Sequence, residues 1–321
     1  MPYRDRVITV CGELVADLIE QPDGSLRPVA GGSPANTALA CARLGMPVEF
    51  LGRFGADVFG QRARDRLAGA GVGLRGSIQA REPSTLAVAT TDAAGHARYA
   101  FWTGGTADWQ WTDAELEGAP APSTRAVHTA SVASWTLPGA LPILAMVGRA
   151  RAAEDVLVSY DPNTRPALMS PQSRDLVDQA VTRAHLVKVS DEDLATLHPG
   201  VHPLDAATRW LSAGPSLVVV TAGSAGASAL RPGRSPVQVP SARVDVVDTI
   251  GAGDTFTAGL LLALLGMLPD EDPGPGLLGL DDDEVRQALS TAATASGITC
   301  SRAGCEPPTA AELATALGSR P

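Results

Sequence analysis

Val247-Asp248-Thr249-Ile250-Gly251-Ala252-Gly253-Asp254-Thr255-Phe256-Thr257-Ala258-Gly259 is the stretch that decides how this chain reads. Gly251 and Gly253 carry no Cβ, so the backbone can turn tightly and bring its N–H groups close to a ligand. The apolar run 260–265 that follows predicts a buried helix. A helix start adds unpaired N–H groups and the positive end of the helix dipole. Together they make a site for phosphate or another anion. A carboxylate at Asp254 would repel a bound phosphate, so it has another task. It can take the proton from a hydroxyl that attacks a phosphoryl group. The expected catalytic set is therefore Asp254, with the N–H groups of Gly251, Ala252 and Gly253 stabilising the transferred charge. The bland alternative is a plain helix entry. The stretch lacks the Gly-Lys-Ser/Thr ending of a Walker A loop, and Phe256 stands where a dinucleotide fingerprint has its third glycine.

A second stretch, Gly31-Gly32-Ser33-Pro34-Ala35-Asn36-Thr37-Ala38-Leu39-Ala40-Cys41-Ala42-Arg43-Leu44-Gly45, lies far upstream. Ser33 and Pro34 predict a helix beginning at about Pro34, with Ser33 as its cap. Gly31 and Gly32 let the backbone approach a ligand, and Asn36 offers both donor and acceptor. The pair of stretches, in this order and spacing, closely resembles the two signatures of the ribokinase (pfkB-type) family of carbohydrate kinases. The resemblance runs from about Val7 to the C-terminus. It implies an α/β fold with a central, mostly parallel sheet flanked by helices and a small β-strand lid. It also implies one kinase domain that moves the γ-phosphate of ATP to a sugar hydroxyl, with magnesium.

Composition bounds the reading. The chain has 321 residues, 45% of them hydrophobic, and a net charge of −10. An acidic chain is a poor match for nucleic acid or an acidic membrane. Cys11, Cys41, Cys300 and Cys305 follow no metal-ligand or disulfide spacing, which fits reduced thiols and a cytoplasmic location. No signal peptide or membrane-length apolar run is expected. Lys188 is the only lysine. His198 and His202 flank a Pro-Gly break and make a poor metal pair.

Taken in order, 7–11 predicts a core strand, and 13–30 a hairpin belonging to the lid. By the resemblance, Asp17 binds sugar hydroxyls; otherwise it is a surface acid. A strand over 47–52 and a helix over 57–69 follow. The segments 84–91 and 97–102 alternate around Asp92-Ala93-Ala94-Gly95 and predict a second lid hairpin, so that the lid spans about 13–30 and 84–110. Phe101 and Trp102 either stack on a sugar ring or pack within the lid. From 126 onward, strands alternate with helices over 138–153, 172–183 and 203–213, which predicts a parallel sheet covered on both faces. Ligands then bind beyond the carboxyl ends of the strands.

Motifs fall at those ends. Asp161-Pro162-Asn163-Thr164-Arg165-Pro166 closely resembles the Asp-Pro-Asn-x-Arg-Pro element of fructokinases, and Arg165 there is either a sugar ligand or a structural ion pair. Lys188, Ser190 and Asp193 stand where the family often has an Asn-x-x-Glu element tied to magnesium and phosphate; Ser190 and Asp193 replace the Asn and the Glu. Thr221, Gly223 and Gly226 resemble the family's turn beside the nucleotide, and could equally form a plain hairpin turn. Asp248, with Ile250, corresponds to a monovalent cation site, typically potassium, or merely caps the following turn. Gly251 and Gly253 face the nucleotide as well. The expected sugar ligands are Asp17, Gly31, Gly32, Asn36, Phe101, Arg165 and Asp254. The segment 269–283 reads as an exposed acidic loop. The expected partners are ATP, magnesium, potassium, a small sugar and a second copy docked through the lid. Fructokinase-like activity is the first expectation, with 2-keto-3-deoxygluconate kinase, ribokinase and an idle sugar-binding regulator as alternatives.

Overall fold

The computed structural model describes residues 7–21, 23–91 and 97–318. Six strands run parallel at the centre: β1 (Val7–Cys11), β4 (Val48–Leu51), β9 (Thr124–Ala130), β10 (Leu157–Asp161), β11 (Leu186–Ser190) and β12 (Leu217–Thr221). Two antiparallel strands, β13 (Ala227–Leu230) and β14 (Val237–Val239), extend one edge. The sheet order is β14-β13-β12-β11-β10-β9-β1-β4. The sequence pattern had not separated β13 and β14, since both are short and end in Pro- and Gly-rich turns.

Alternate residues of each central strand enter two different cores. Leu157, Leu186 and Val219 join Ile8, Phe256, Leu260 and Leu289 on one face. Val158, Val187 and Val218 join Ile143, Val177 and Trp210 on the other. A period of two with both faces apolar is what a doubly covered parallel sheet requires.

The lid is a separate sheet in the order β3 (Leu26–Gly31), β2 (Val15–Glu20), β7 (Thr85–Thr91), β8 (Ala97–Trp102). A short parallel ribbon of β5 (Arg53–Phe54) and β6 (Ile78–Gln79) lies beside it. The predicted turn around Gly95 lies outside the described residues. The row Val29–Asp17–Ala87–Phe101 crosses the lid strands in register, so Asp17 and Phe101 share one face. Trp102 belongs to the next row, with Leu86 and Ala16, on the opposite face. Only one of the two aromatic residues can therefore look toward a sugar.

Two expectations change. The first signature helix spans Ser33–Arg43 and its cap is Gly32, because the Ser33 hydroxyl is engaged elsewhere. The segment 269–283 is no simple loop: it contains a helix, Pro273–Gly279, whose Leu277 is fully buried and whose Gly274 lies against the His185 ring. The two histidines serve structure: His202 caps helix Pro203–Leu211 and His198 packs edge-on against Trp210.

Candidate active site

Gly251 is the N-cap of helix Ala252–Met267 and takes a left-handed φ of 76°. A Cβ there would lie 2.2 Å from Cys305 Sγ, so both conformation and space demand glycine. The helical ladder begins with the Thr255 N–H donating to the Gly251 carbonyl at 2.8 Å. The amides of the first turn precede that ladder and form the expected anion-facing end. Ala252 departs from the expected trio: its N–H donates back to the Thr249 carbonyl at 3.2 Å.

Asp254 is buried in that first turn. The Ser33 hydroxyl donates to Oδ1 at 2.6 Å and the Asn36 side-chain amide donates to Oδ2 at 3.0 Å. The two signature stretches thus meet on one carboxylate. Burial pushes the Asp254 carboxyl above its usual range, while Ser33, Asn36, Lys188 and Arg165 pull it back down. Asn36 was expected on the sugar; one of its N–H groups is instead spent on Asp254. Ser33 had been read only as a helix cap, and nothing in the local sequence marks its reach across 221 residues.

The lid supplies a second carboxylate. Asp17 is pushed up to about 6, first by burial, with Arg165 acting to lower it. Gly31 faces it: a Cβ there would lie 2.0 Å from Asp17 Oδ2. Gly32 has a φ of 99° and would strike the Glu13 carbonyl with any side chain. Arg165 is exposed at the end of β10, where its guanidinium donates to the Asn163 carboxamide oxygen at 2.5 Å and to the Thr164 carbonyl at 2.8 Å. Its charge acts to lower both Asp17 and Asp254.

A cavity of about 890 Å³ opens beside the helix start, lined by Thr221, Gly223, Gly226, Val244, Ala252, Gly253, Phe256, Ser296 and Cys300 among others. Its size suits a nucleotide-sized ligand. Four residues expected around the nucleotide, Thr221, Gly223, Gly226 and Gly253, line it; Lys188, Ser190, Asp193 and Gly251 do not. Asp193 accepts from the Thr164 N–H and hydroxyl on one oxygen, at 2.7 and 2.8 Å, and from the Ser190 hydroxyl on the other at 2.6 Å. It ties the loop after β10 to the end of β11. Asp248 accepts from the Ile250 N–H at 3.0 Å and the Gly304 N–H at 2.9 Å, joining the turn before the helix to the last loop. Among the described residues, no group of three or more His, Cys, Asp or Glu is arranged to hold a metal.

An anion-facing helix start, a buried carboxylate beside it, a nucleotide-sized cavity and a lid carrying a second carboxylate define a phosphotransferase site on a ribokinase-like α/β fold. The model of the pfkB family of carbohydrate kinases matches residues 6–311. The chain belongs to that family. A fructokinase of Rhizobium leguminosarum bv. trifolii is 35% identical over 265 residues, covering 80% of this chain and 79% of that protein. The structure of fructokinase with bound ATP from Xylella fastidiosa superposes with a TM-score of 0.89 at 26% identity, over 97% of this chain and 98% of that one. Fructokinase from Vibrio cholerae O395, solved with fructose, ADP and calcium ion, gives 0.81 at 26% identity over 97% and 99%. A double mutant of that enzyme was solved with fructose, ADP and potassium ion.

Proposed function

We propose that this protein is an ATP-dependent fructokinase. The observation that carries the reading is Asp254, held by Ser33 and Asn36 at the first turn of a helix whose cap must be glycine. A sugar hydroxyl oxygen attacks the γ-phosphorus, the bond to the β,γ-bridging oxygen breaks, ADP leaves, and Asp254 takes the hydroxyl proton. The amides of Gly251 and Gly253 face the charge that spreads over the phosphoryl oxygens. Ala252 lends its helical geometry, its own N–H being turned to Thr249. Asp17, Gly31, Gly32, Asn36, Phe101 and Arg165 form the sugar side, and ATP occupies the 890 Å³ cavity. Magnesium would bind chiefly through the phosphates and water. The fructokinase relatives and the match of 161–166 to their motif favour fructose as the acceptor.

A coupled ADP-release assay over ketoses, aldoses and sugar acids tests this. Fructose should give the highest kcat/KM; a preference for 2-keto-3-deoxygluconate or ribose would overturn the fructose assignment. Arg165→Ala sharpens the result. With a neutral ketose it should raise KM with a modest fall in kcat. With an acidic sugar it should cost about 1.5–3 kcal/mol per lost bond to the charged group.

A further inference from the structure

The chain's single lysine is buried, and it is aimed at the back of the phosphoryl site. Lys188 projects from β11 on the face covered by helix Ala252–Met267. Its ammonium lies 2.9 Å from Asp161 Oδ2, and both side chains are almost wholly inaccessible. Gly253 sits directly above it: a Cβ at Gly253 would come 3.1 Å from Lys188 Nζ. The ammonium thus touches the floor of the turn that faces the transferred phosphoryl group. A buried ion pair recovers its desolvation cost poorly, so it is weak evidence for a stabilising role. A pair in this place has electrostatic work available instead.

We propose that Lys188, anchored by Asp161, is a positioning residue for phosphoryl transfer. From beneath Gly253 it keeps the Asp254 carboxylate ionised and the first turn of the helix positive. This rests on the reading of Asp254 as the base. Lys188 feels Asp161, Asp193 and Asp254, and the neighbouring neutral ring of His128. Burial alone would depress Lys188, yet those carboxylates hold it above its ordinary range. Asp254 faces Lys188 from the sheet, Arg165 from the loop after β10, the Cys305 thiol from the last loop, and the neutral donors Ser33 and Asn36. Lys188 is also a fixed positive charge packed against the anion-facing turn at Gly253, so its effect reaches both the base and the leaving phosphates.

Three variants and one spectrum test this. In Lys188→Met, kcat should fall about tenfold or more, and the acid limb of kcat/KM should move up in pH by about one unit. In Asp161→Asn the limb should move down, because a like charge near Asp254 is removed. The double variant Lys188→Met/Asp161→Asn leaves no unpaired buried charge and guards against a single variant that fails to fold. It should keep a lowered kcat and an upward limb shift. A folded double variant with wild-type kcat and wild-type pH profile would make the pair purely structural and overturn the proposal. Labelling with lysine enriched in ¹⁵N at Nζ gives one side-chain ammonium signal, since there is one lysine. That signal should shift when a non-hydrolysable ATP analogue binds; an unmoved signal at saturation would place Lys188 out of electrical reach. Near-normal turnover by Asp254→Asn would fail the base assignment instead, leaving the ammonium spectrum and the double variant to report on Lys188 independently.

Discussion

At the scale of single residues, the site is a set of donors converging on Asp254. Its carboxylate is the only group in the first turn able to remove a proton, and general-base steps contribute typically about 10²–10⁴-fold. Asp254→Asn should therefore lose turnover by that factor while retaining sugar binding measured by calorimetry; a variant above about a tenth of the wild-type kcat would remove Asp254 from the role. Burial raises the Asp254 carboxyl, and a base works only when ionised. Activity should thus begin to fall at a pH above the ordinary carboxylate range as the solution is acidified. The turn at Gly251 and Gly253, with Asp254 in the first turn of the helix, was legible in the sequence because a left-handed, closely packed helix cap admits few residue types. Ser33 was not, because its partner lies on another strand–helix unit.

At the scale of elements, the junction between the main sheet and the lid holds two buried acids. Glu13 follows β1 and accepts from the Ala133 N–H at 3.0 Å; Asp108 accepts from the Leu14 N–H at 2.7 Å and from the Thr85 hydroxyl. Burial pushes Glu13 up to about 7 and Asp108 up to about 6. The folded state therefore holds these protons more tightly than the unfolded chain does. The stability they contribute is full below the ordinary carboxylate range and is lost as pH rises through about 7. For Glu13 the difference is of order 3 kcal/mol. Urea midpoints of the wild type should fall across that window, and Glu13→Gln should flatten the slope; parallel slopes would refute the assignment. The six parallel strands, the longer helices between them and the lid strands were readable from periodicity, to within a few residues, whereas β13 and β14 were not. The junction acids were passed over because an acid next to a strand end looks the same in sequence whether it faces solvent or a packed joint. The helix Pro273–Gly279 was hidden by its prolines and glycines, which usually mark loops.

At the scale of the whole molecule, parallel strand ends gather residues from 13 to 305 into one place, which is why two short motifs sufficed to read fold and chemistry together. The last loop is drawn in as well: Gly304 donates to Asp248, and Cys305 packs on Gly251. Asp248 has a carboxylate already shared by two amides, and we propose it as part of a monovalent cation site, a related fructokinase having been solved with potassium ion. Turnover measured with magnesium should therefore rise when potassium replaces a bulky organic cation such as tetramethylammonium; equal rates in both would dismiss the monovalent site. The bonds from Ser33 and Asn36 to Asp254 span 221 and 218 positions. Contacts that distant in sequence form late, since the loop they close is costly in entropy. A nascent or refolding chain can complete either half of its sheet while the proton acceptor still lacks both donors. In refolding from urea, catalytic turnover should accordingly return only in the last kinetic phase, after helical signal and tryptophan burial have recovered. Turnover regained in step with the helical signal would show that the two signature stretches dock early.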